Sequence, residues 1–347
     1  MTRPLSVLVL GAGGNVSQSI QKALELASTP TRVLAACISP SSMGLYMAER
    51  AYLSPLAQTA EFIPWLLEIC ERERIDAVMS GSEIVLEALA PHAAQVRAQT
   101  GAVCIVSSPE TLRTGRDKLE TCRWLQASGL PVPGYAGLAD AASVERLVER
   151  HGFPLVAKPR LGKGSDGVLI LRDRDDLERV LGAEDLSLRE VLQRRLAPAD
   201  LVLQEYLGVD EEEYTAGCFC DAHGALRGTI VLRRRLYAGT TVAAELGEFP
   251  EVSRVAGAIA FALRPLGPCN VQLRIHEGRP VPFEINPRFS GTTALRARMG
   301  FNEVDAALRH FVLDEPAPSL QADGPGLALR YWNEIYVSAD AEAELVA

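Results

Sequence analysis

The chain has 347 residues, 48% of them hydrophobic, and a formal charge of -9, with a pI near 5.3. That length permits a large buried core spread over two or three structural units. The acidic balance excludes a broad nucleic-acid footprint and leaves the cluster Arg233, Arg234, Arg235 as a local grip for a small anion.

In chain order, Met1 to Leu10 reads as a buried strand and not a leader, because Gly11 to Asn15 and then Ser17, Gln18 and Ser19 interrupt the apolar run. No stretch of about 18 uncharged apolar residues follows, so a cytoplasmic protein with no membrane partner is expected. Runs at Ser6–Leu10, Arg32–Ile38, Ala77–Ser80 and Val103–Val106 alternate with amphipathic stretches near 16–27, 60–73 and 83–98, the pattern of a parallel α/β sheet. Gly11-Ala12-Gly13-Gly14-Asn15-Val16 follows a strand and opens a helix, as a dinucleotide loop does. Val16 stands where the third glycine belongs, and the second strand ends Cys37-Ile38-Ser39-Pro40 without the acidic residue that holds a ribose. The loop either binds an anion or packs a helix tightly against a strand, and a nicotinamide-dependent oxidoreductase is disfavoured. Ser82 and Glu83 lie at the carboxyl edge of the sheet, placed to contact a substrate or to cap the next helix.

A helix over Lys118 to Ser128, ended by Gly129 and the extended Leu130-Pro131-Val132-Pro133, marks a domain border. From Phe153 onward, strands joined by glycine-rich turns mix with helices at 174–181, 187–194, 251–265 and 302–313, an α+β pattern. Leu155 to Leu171 places two strands around the loop Gly162-Lys163-Gly164-Ser165-Asp166-Gly167, with Lys158 at a strand end. Glycines let backbone N–H groups approach a phosphate and the lysine offsets its charge, although a plain hairpin has the same outline. Leu201 to Leu207 runs into Glu211-Glu212-Glu213, which suits an adenine slot with a ribose carboxylate, or a strand with a solvated acidic turn. Leu327 to Val337 reads as a late aromatic strand that seals a sheet or forms a subunit contact.

The seven cysteines are scattered, with no C-x-x-C pair, and read as reduced, mostly buried thiols, with Cys218 and Cys220 on one strand face. The five histidines are dispersed without a His-Glu-x-x-His, against a zinc enzyme.

Asn270 to Ser290 alternates polar and apolar residues on both sides of a turn. Asn270, Gln272 and Arg274 share one strand face, with Val271, Leu273 and Ile275 on the other; on the return, Glu284 and Asn286 oppose Phe283 and Ile285. A turn centred on Gly278 sets 272 opposite 284 and 270 opposite 286, with Cβ atoms roughly 4.5 to 5.5 Å apart, so Gln272, Glu284 and Asn286 converge. A carboxylate flanked by amide oxygens is a hard-oxygen set suited to Mg²⁺, and Arg288 adds a cation beside it. A hairpin with an ordinary solvated face alternates in the same way.

Together these segments resemble the ATP-grasp superfamily, and within it the carbamoyl-phosphate-synthetase-like branch, over roughly residues 110 to 310. The resemblance implies a parallel α/β pre-ATP-grasp domain over 1–113 and an ATP-grasp fold of two α+β subdomains over 114–347, the lid subdomain at about 150–207. It implies that Lys118 and Lys158 contact the phosphates of ATP and that Gly162, Gly164, Ser165 and Gly167 close over them. Glu205, Tyr206 and Leu207 form the adenine hinge, chiefly through backbone groups, and Glu213 takes the ribose hydroxyls. Gln272, Glu284 and Asn286 carry Mg²⁺, with Mn²⁺ as a substitute, and Arg288 stabilises the transferring phosphoryl group, with Lys158 its catalytic companion.

The expected activity is an ADP-forming ligase that activates a small carboxylate, an amino acid or related acid, for attack by an amine. The alternative is a carbamate or carboxylate kinase of the same fold. Partners are then the two small substrates, with a homodimer as the family-level expectation. The segment after Arg288, Phe-Ser-Gly-Thr-Thr, departs from relatives, so substrate contacts there do not carry over. Arg296 and Arg298 are read as substrate-binding or solvent-facing.

Overall fold

A computed structural model describes residues 3–162, 167–182, 197–208, 213–323, 326–331 and 333–338. The apolar runs of the first third become β1 (Leu5–Leu10), β2 (Thr31–Cys37), β3 (Arg50–Leu53), β4 (Ala77–Ser80) and β5 (Val103–Cys104), a parallel sheet of order β3-β2-β1-β4-β5. Its helices are α1 (Asn15–Leu24), α2 (Phe62–Glu73), α3 (Glu83–Leu89) and α4 (Ala93–Thr100). Strand β3 was not expected: Arg-Ala-Tyr-Leu is a short edge strand with one buried side chain, Tyr52, too brief for periodicity to mark. The tight turn after β1 depends on two glycines. Gly11 has φ +65°, and a Cβ on Gly81 would lie 2.4 Å from the Cβ of Val16, so α1 could not approach β4 with a larger residue there.

Helix α5 (Pro109–Arg116) also goes beyond the expected elements, although its start is written in the sequence: Ser108 caps the Thr111 N–H and proline takes the first turn. Then α6 (Lys118–Ala127), capped by the Asp117 carboxylate, leads to an antiparallel sheet of order β6-β9-β7-β8. Its strands are β6 (Tyr135–Gly137), β7 (Leu155–Pro159), β8 (Leu169–Leu171) and β9 (Leu201–Glu205). Helices α7 (Ala141–His151) and α8 (Arg174–Gly182) give Val144, Leu147 and Leu177 to its core. The expected helix at 187–194 lies outside the described residues.

The largest sheet is antiparallel, of order β14-β13-β10-β11-β12-β15. It consists of β10 (Glu213–Cys220), β11 (Leu226–Tyr237), β12 (Thr240–Leu246), β13 (Gly267–His276), β14 (Arg279–Asn286) and β15 (Gly326–Leu329). Helix α9 (Pro250–Leu263) covers one face, burying Cys218 and Cys220 against the Ala256 and Ala260 carbonyls. The other face meets the first sheet: Val7, Val9 and Ile20 share one core with Phe219, Ile230, Leu232, Phe289 and Phe301. Two short helices, α10 (Thr293–Arg298) and α11 (Glu303–Ala307), fill this seam. Strand β15 seals the β12 edge and stops at Leu329, well short of Val337. All seven cysteines are free and buried.

Candidate active site

A cavity of about 520 Å³ opens between the four-stranded and six-stranded sheets. Its walls follow from strand periodicity. Along β7, Leu155, Ala157 and Pro159 are buried while Val156 and Lys158 alternate outward into the cavity. Along β13, Val271 and Leu273 enter the core under α9, and Gln272 and Arg274 turn to the cavity. Of the expected site residues, Lys118, Lys158, Gly162, Glu205, Tyr206, Leu207, Glu213, Gln272 and Glu284 line this one space. Gly167 lies just outside its wall, and Gly164 and Ser165 fall outside the described residues.

The hairpin register pairs Asn270 with Asn286 and Gln272 with Glu284, as the alternation requires. The turn itself differs. It is a two-residue turn at Glu277 and Gly278, both with positive φ (49° and 75°), closed by the pair His276 and Arg279. A regular ladder from that turn would set Phe283 opposite Gln272. A β-bulge beyond Leu273 absorbs one residue and brings Glu284 into that place. The bulge also turns Phe283 to the cavity instead of the opposite face, where its ring lies 5.3 Å from the Lys158 ammonium and 5.8 Å from the Arg274 guanidinium.

The charged groups form a connected set. Glu284 Oε1 accepts from the Asn286 amide at 2.9 Å, and Oε2 accepts from no described residue. Burial works against its charge, but Lys118, the Asn286 amide, Arg288 and Arg234 outweigh it and hold the carboxyl below its ordinary range. Lys158 is the reverse case: burial lowers its ammonium to about 8, with Glu284 opposing and Lys118 adding to the fall. Lys118 donates to the Gly162 carbonyl at 3.1 Å, tying α6 to the start of the glycine loop.

Two carboxylates are already engaged. Glu213 is clamped by Arg234 at 2.5 Å and by Arg274 at 2.7 Å, and Arg234 also donates to Gln272 Oε1 at 2.6 Å. Glu205 accepts from the Gly134 N–H at 2.8 Å and faces His276 at 3.0 Å and His151 at 3.4 Å. The Glu205 side chain thus holds the four-stranded sheet to the end of β13, and its backbone N–H is taken by the Gly134 carbonyl at 2.8 Å. Arg234 and Arg274 had only general signals in the sequence, a basic triplet and a shared strand face. Of that triplet, Arg233 is exposed and paired with Glu245 and Arg235 is exposed, so Arg234 alone enters the cavity.

Asn286 and Arg288 stand at the next recess, between the hairpin end, α3 and α5. Arg288 donates to Glu83 at 2.9 Å, Asn286 Oδ1 at 3.0 Å and the Phe289 carbonyl at 2.7 Å. Glu83 therefore bridges the first sheet to the hairpin, and Ser82, expected as a cap, makes no side-chain cap bond. In the Gly11–Gly14 loop the N–H groups of Ala12, Gly13 and Gly14 go to Ala36, the Cys37 sulfur and Gly11, which favours the packing role over anion binding. Arg296 is not solvent-facing: it is fully buried, with Glu303 at 3.4 Å, and bonds to Thr215 and Asn270. Arg298 is exposed.

Comparison with known proteins bears on this arrangement. The profile of the family described as ATP-grasp in the biosynthetic pathway with Ter operon matches residues 197–335, and that of the PylC-like N-terminal domain matches residues 7–105. The likeness is to ATP-grasp proteins, over the part of the chain that carries the six-stranded sheet.

Among relatives of this chain, an uncharacterized protein, y4rH, of Sinorhizobium fredii is 30% identical over 198 residues, 53% of this chain and 38% of its own length. The carbamoyl phosphate synthase large chain of Methanothermobacter thermautotrophicus is 27% identical over 272 residues, 73% of this chain and 24% of that one. The chain thus spans well under half the length of these curated relatives. Among solved structures, N5-carboxyaminoimidazole synthetase from Staphylococcus aureus complexed with ADP aligns with TM-score 0.73 at 12% identity, covering 95% of this chain and 83% of that one. The biotin carboxylase domain of Hydrogenobacter thermophilus 2-oxoglutarate carboxylase, in complex with MgADP, ADP and bicarbonate, aligns with TM-score 0.71 at 16% identity, covering 95% and 75%. These likenesses show the fold alone, a parallel sheet followed by two antiparallel sheets around a cleft. No helix among the described residues is long and apolar enough to cross a membrane.

Proposed function

We propose that the protein is an ATP-dependent, ADP-forming ligase that joins a small carboxylate to an amine. The observation that carries the reading is the single cavity lined by Lys118, Lys158, Glu284 and the Glu205–Leu207 strand end, with Arg288 in the adjoining recess. Names of relatives agree with it: carbamoyl phosphate synthase and N5-carboxyaminoimidazole synthetase.

Lys118 and Lys158 bind nucleotide phosphates, and Arg234 is a further cation within reach of them. The backbone of Glu205 to Leu207 meets the base. Glu213 orients a ribose only if Arg234 or Arg274 releases one of its oxygens, so its first role is to hold those two arginines in place.

The donor set fits Mg²⁺, or Mn²⁺ as a substitute. Glu284 is held ionised, and its Oε2 accepts from no described residue. Gln272 and Asn286 add amide oxygens, now engaged by Arg234 and Arg288. When bound there, the metal would neutralise phosphate charge and orient the transferring group.

In the reaction, a carboxylate oxygen of the substrate bonds to the γ-phosphorus of ATP as the bond to the β-phosphate oxygen breaks, leaving ADP and an acyl phosphate. The amine then attacks the acyl carbon, phosphate leaves and the nitrogen loses a proton. Arg288 neutralises charge on the phosphoryl oxygens as they are transferred, and Lys158 does so from the opposite wall. An acyl phosphate hydrolyses in water, so the reaction needs the site closed to solvent while the intermediate is present.

The test is ADP release with Mg²⁺ and ATP across amino acids and related acids, singly and in pairs. Turnover that needs two substrates supports the ligase, turnover with one carboxylate alone supports the kinase alternative, and tight ATP binding with no turnover on any pair counts against both.

A pH dependence follows from Lys158. Its ammonium is intact below about 8 and is lost above that value, so affinity for the phosphates of ADP should fall as pH rises through it. Calorimetric titration between about pH 6.5 and 9.5 should show weakening by up to roughly tenfold per pH unit above the transition, the limit for one proton. Lys158→Arg should flatten the profile, and a flat profile in the wild type would remove Lys158 from the phosphate site.

A further inference from the structure

Arg330 follows β15, its backbone N–H held by the Val242 carbonyl at 2.9 Å. The side chain is half-buried, and its hydrogen bond among the described residues goes to the Gly291 carbonyl. No carboxylate of a described residue faces it, and burial lowers its pKa with no counter-charge to oppose the fall. The other interior arginines differ: Arg234, Arg274 and Arg296 each face a glutamate. A desolvated cation without a partner costs free energy. Gly291 does not require it, because Ser19 donates to the same carbonyl at 3.3 Å.

The place is as informative as the charge. Gly291 lies three residues beyond Arg288 in the sequence. On its flank stands Asn15: a Cβ built on Gly291 would lie 3.3 Å from the Asn15 amide nitrogen. Asn15 opens α1, is exposed, and its amide makes no hydrogen bond to a described residue. It comes from the loop after β1, next to the loop after β4 that supplies Glu83, and β1 and β4 are neighbours in the sheet. This is the carboxyl edge of an open parallel sheet, where ligands bind. A guanidinium with no carboxylate partner and an amide with no hydrogen bond, both among the described residues, therefore lie against the backbone segment that continues from Arg288.

We infer that Arg330 and Asn15 bind an anionic group of the substrate, a carboxylate or phosphate separate from the carboxyl activated at Arg288. The identity of the ligand as substrate rests on the ligase reading above. Such a group supplies the missing counter-charge and accepts charge-assisted hydrogen bonds from Arg330. It also gives selectivity, since a substrate lacking the second negative charge leaves the cation unpaired.

The test titrates the full chain, loaded with ADP and Mg²⁺, with acetate, glutarate and inorganic phosphate, beside Arg330→Met and Arg330→Lys. Glutarate or phosphate should bind the wild type and acetate should not. Binding should fall at least about tenfold in Arg330→Met, the scale of a lost charged hydrogen-bond pair, and persist in part in Arg330→Lys. ADP affinity should be equal in all three proteins, and the thermal midpoint of Arg330→Met should match or exceed that of the wild type. Loss confined to glutarate assigns a carboxylate, and loss confined to phosphate assigns a phosphate.

The inference is overturned if neither dianion binds the wild type, if both proteins bind them equally, or if Arg330→Met melts several degrees lower, the mark of a structural strut. Failure of the wild type to bind ADP would sink the ligase reading instead, and the same titrations on nucleotide-free protein then decide the Arg330 site alone.

Discussion

Replacing Glu284 by glutamine is expected to cut ADP formation by on the order of 10³-fold, the consequence of losing several kcal/mol of metal-borne stabilisation at about 1.36 kcal/mol per factor of ten. The fold should survive. Glu284 stands partly buried on the cavity face of β14, and the Asn286 amide that now donates to it can donate to a glutamine oxygen. The carboxyl is held below its ordinary range, so it remains charged at neutral pH and the loss cannot be recovered by raising pH. The measurement is ADP release against Mg²⁺ concentration, with circular dichroism as the control for folding. A variant that keeps wild-type turnover and metal dependence would remove Glu284 from the metal site.

The second large effect lies in the seam between the first sheet and the six-stranded sheet. Arg296 and Glu303 are both fully buried, and Arg296 also bonds to Thr215 and Asn270. Arg296→Met should destabilise the protein by about 3–5 kcal/mol, because it leaves Glu303 charged or forced to take a proton with Thr293, at 2.5 Å, as its one partner among the described residues. Glu303 already sits above the ordinary carboxyl range, through burial against which Arg296 and Thr293 act. The double variant Arg296→Met, Glu303→Leu should recover most of the loss, since an apolar pair of similar volume costs no desolvation. Urea unfolding of the wild type and the two variants checks this, and a double variant no more stable than the single one would show that the two residues do not act as a pair.

Much of this was legible from side-chain alternation. The polar face of the hairpin was readable because alternation about Gly278 sets Gln272 opposite Glu284, the pairing that the bulge restores. The bulge at Phe283 carries no such signature. Symmetry about Gly278 yields the right pairs, yet the chain reaches them with a shorter turn and one absorbed residue. The charge of Arg296 hid its burial, since an unpaired arginine is by default exposed, and its partner sits in another short helix beyond the Gly300 turn. Glu213 and Glu205 were found as cavity residues, but their arginine and histidine partners come from β11, β13 and the end of α7, which local pattern does not join. Helix α5 is the opposite case, marked by Ser108 and Pro109 at its start and missed in the reading.

The distribution of buried residues divides the molecule differently from the order of its motifs. The first sheet and the six-stranded sheet draw on one core, while the four-stranded sheet closes its own around Leu155, Ala157 and Leu203. Cooperative unfolding follows shared burial, so the first two sheets should open as one unit and the four-stranded sheet as another of lower stability. Amide exchange would report this as faster exchange in β6 to β9, slowed when a nucleotide is present. ADP would then be a weld between two units that the apo protein leaves thermodynamically separate, and saturation with it would merge two unfolding steps into one.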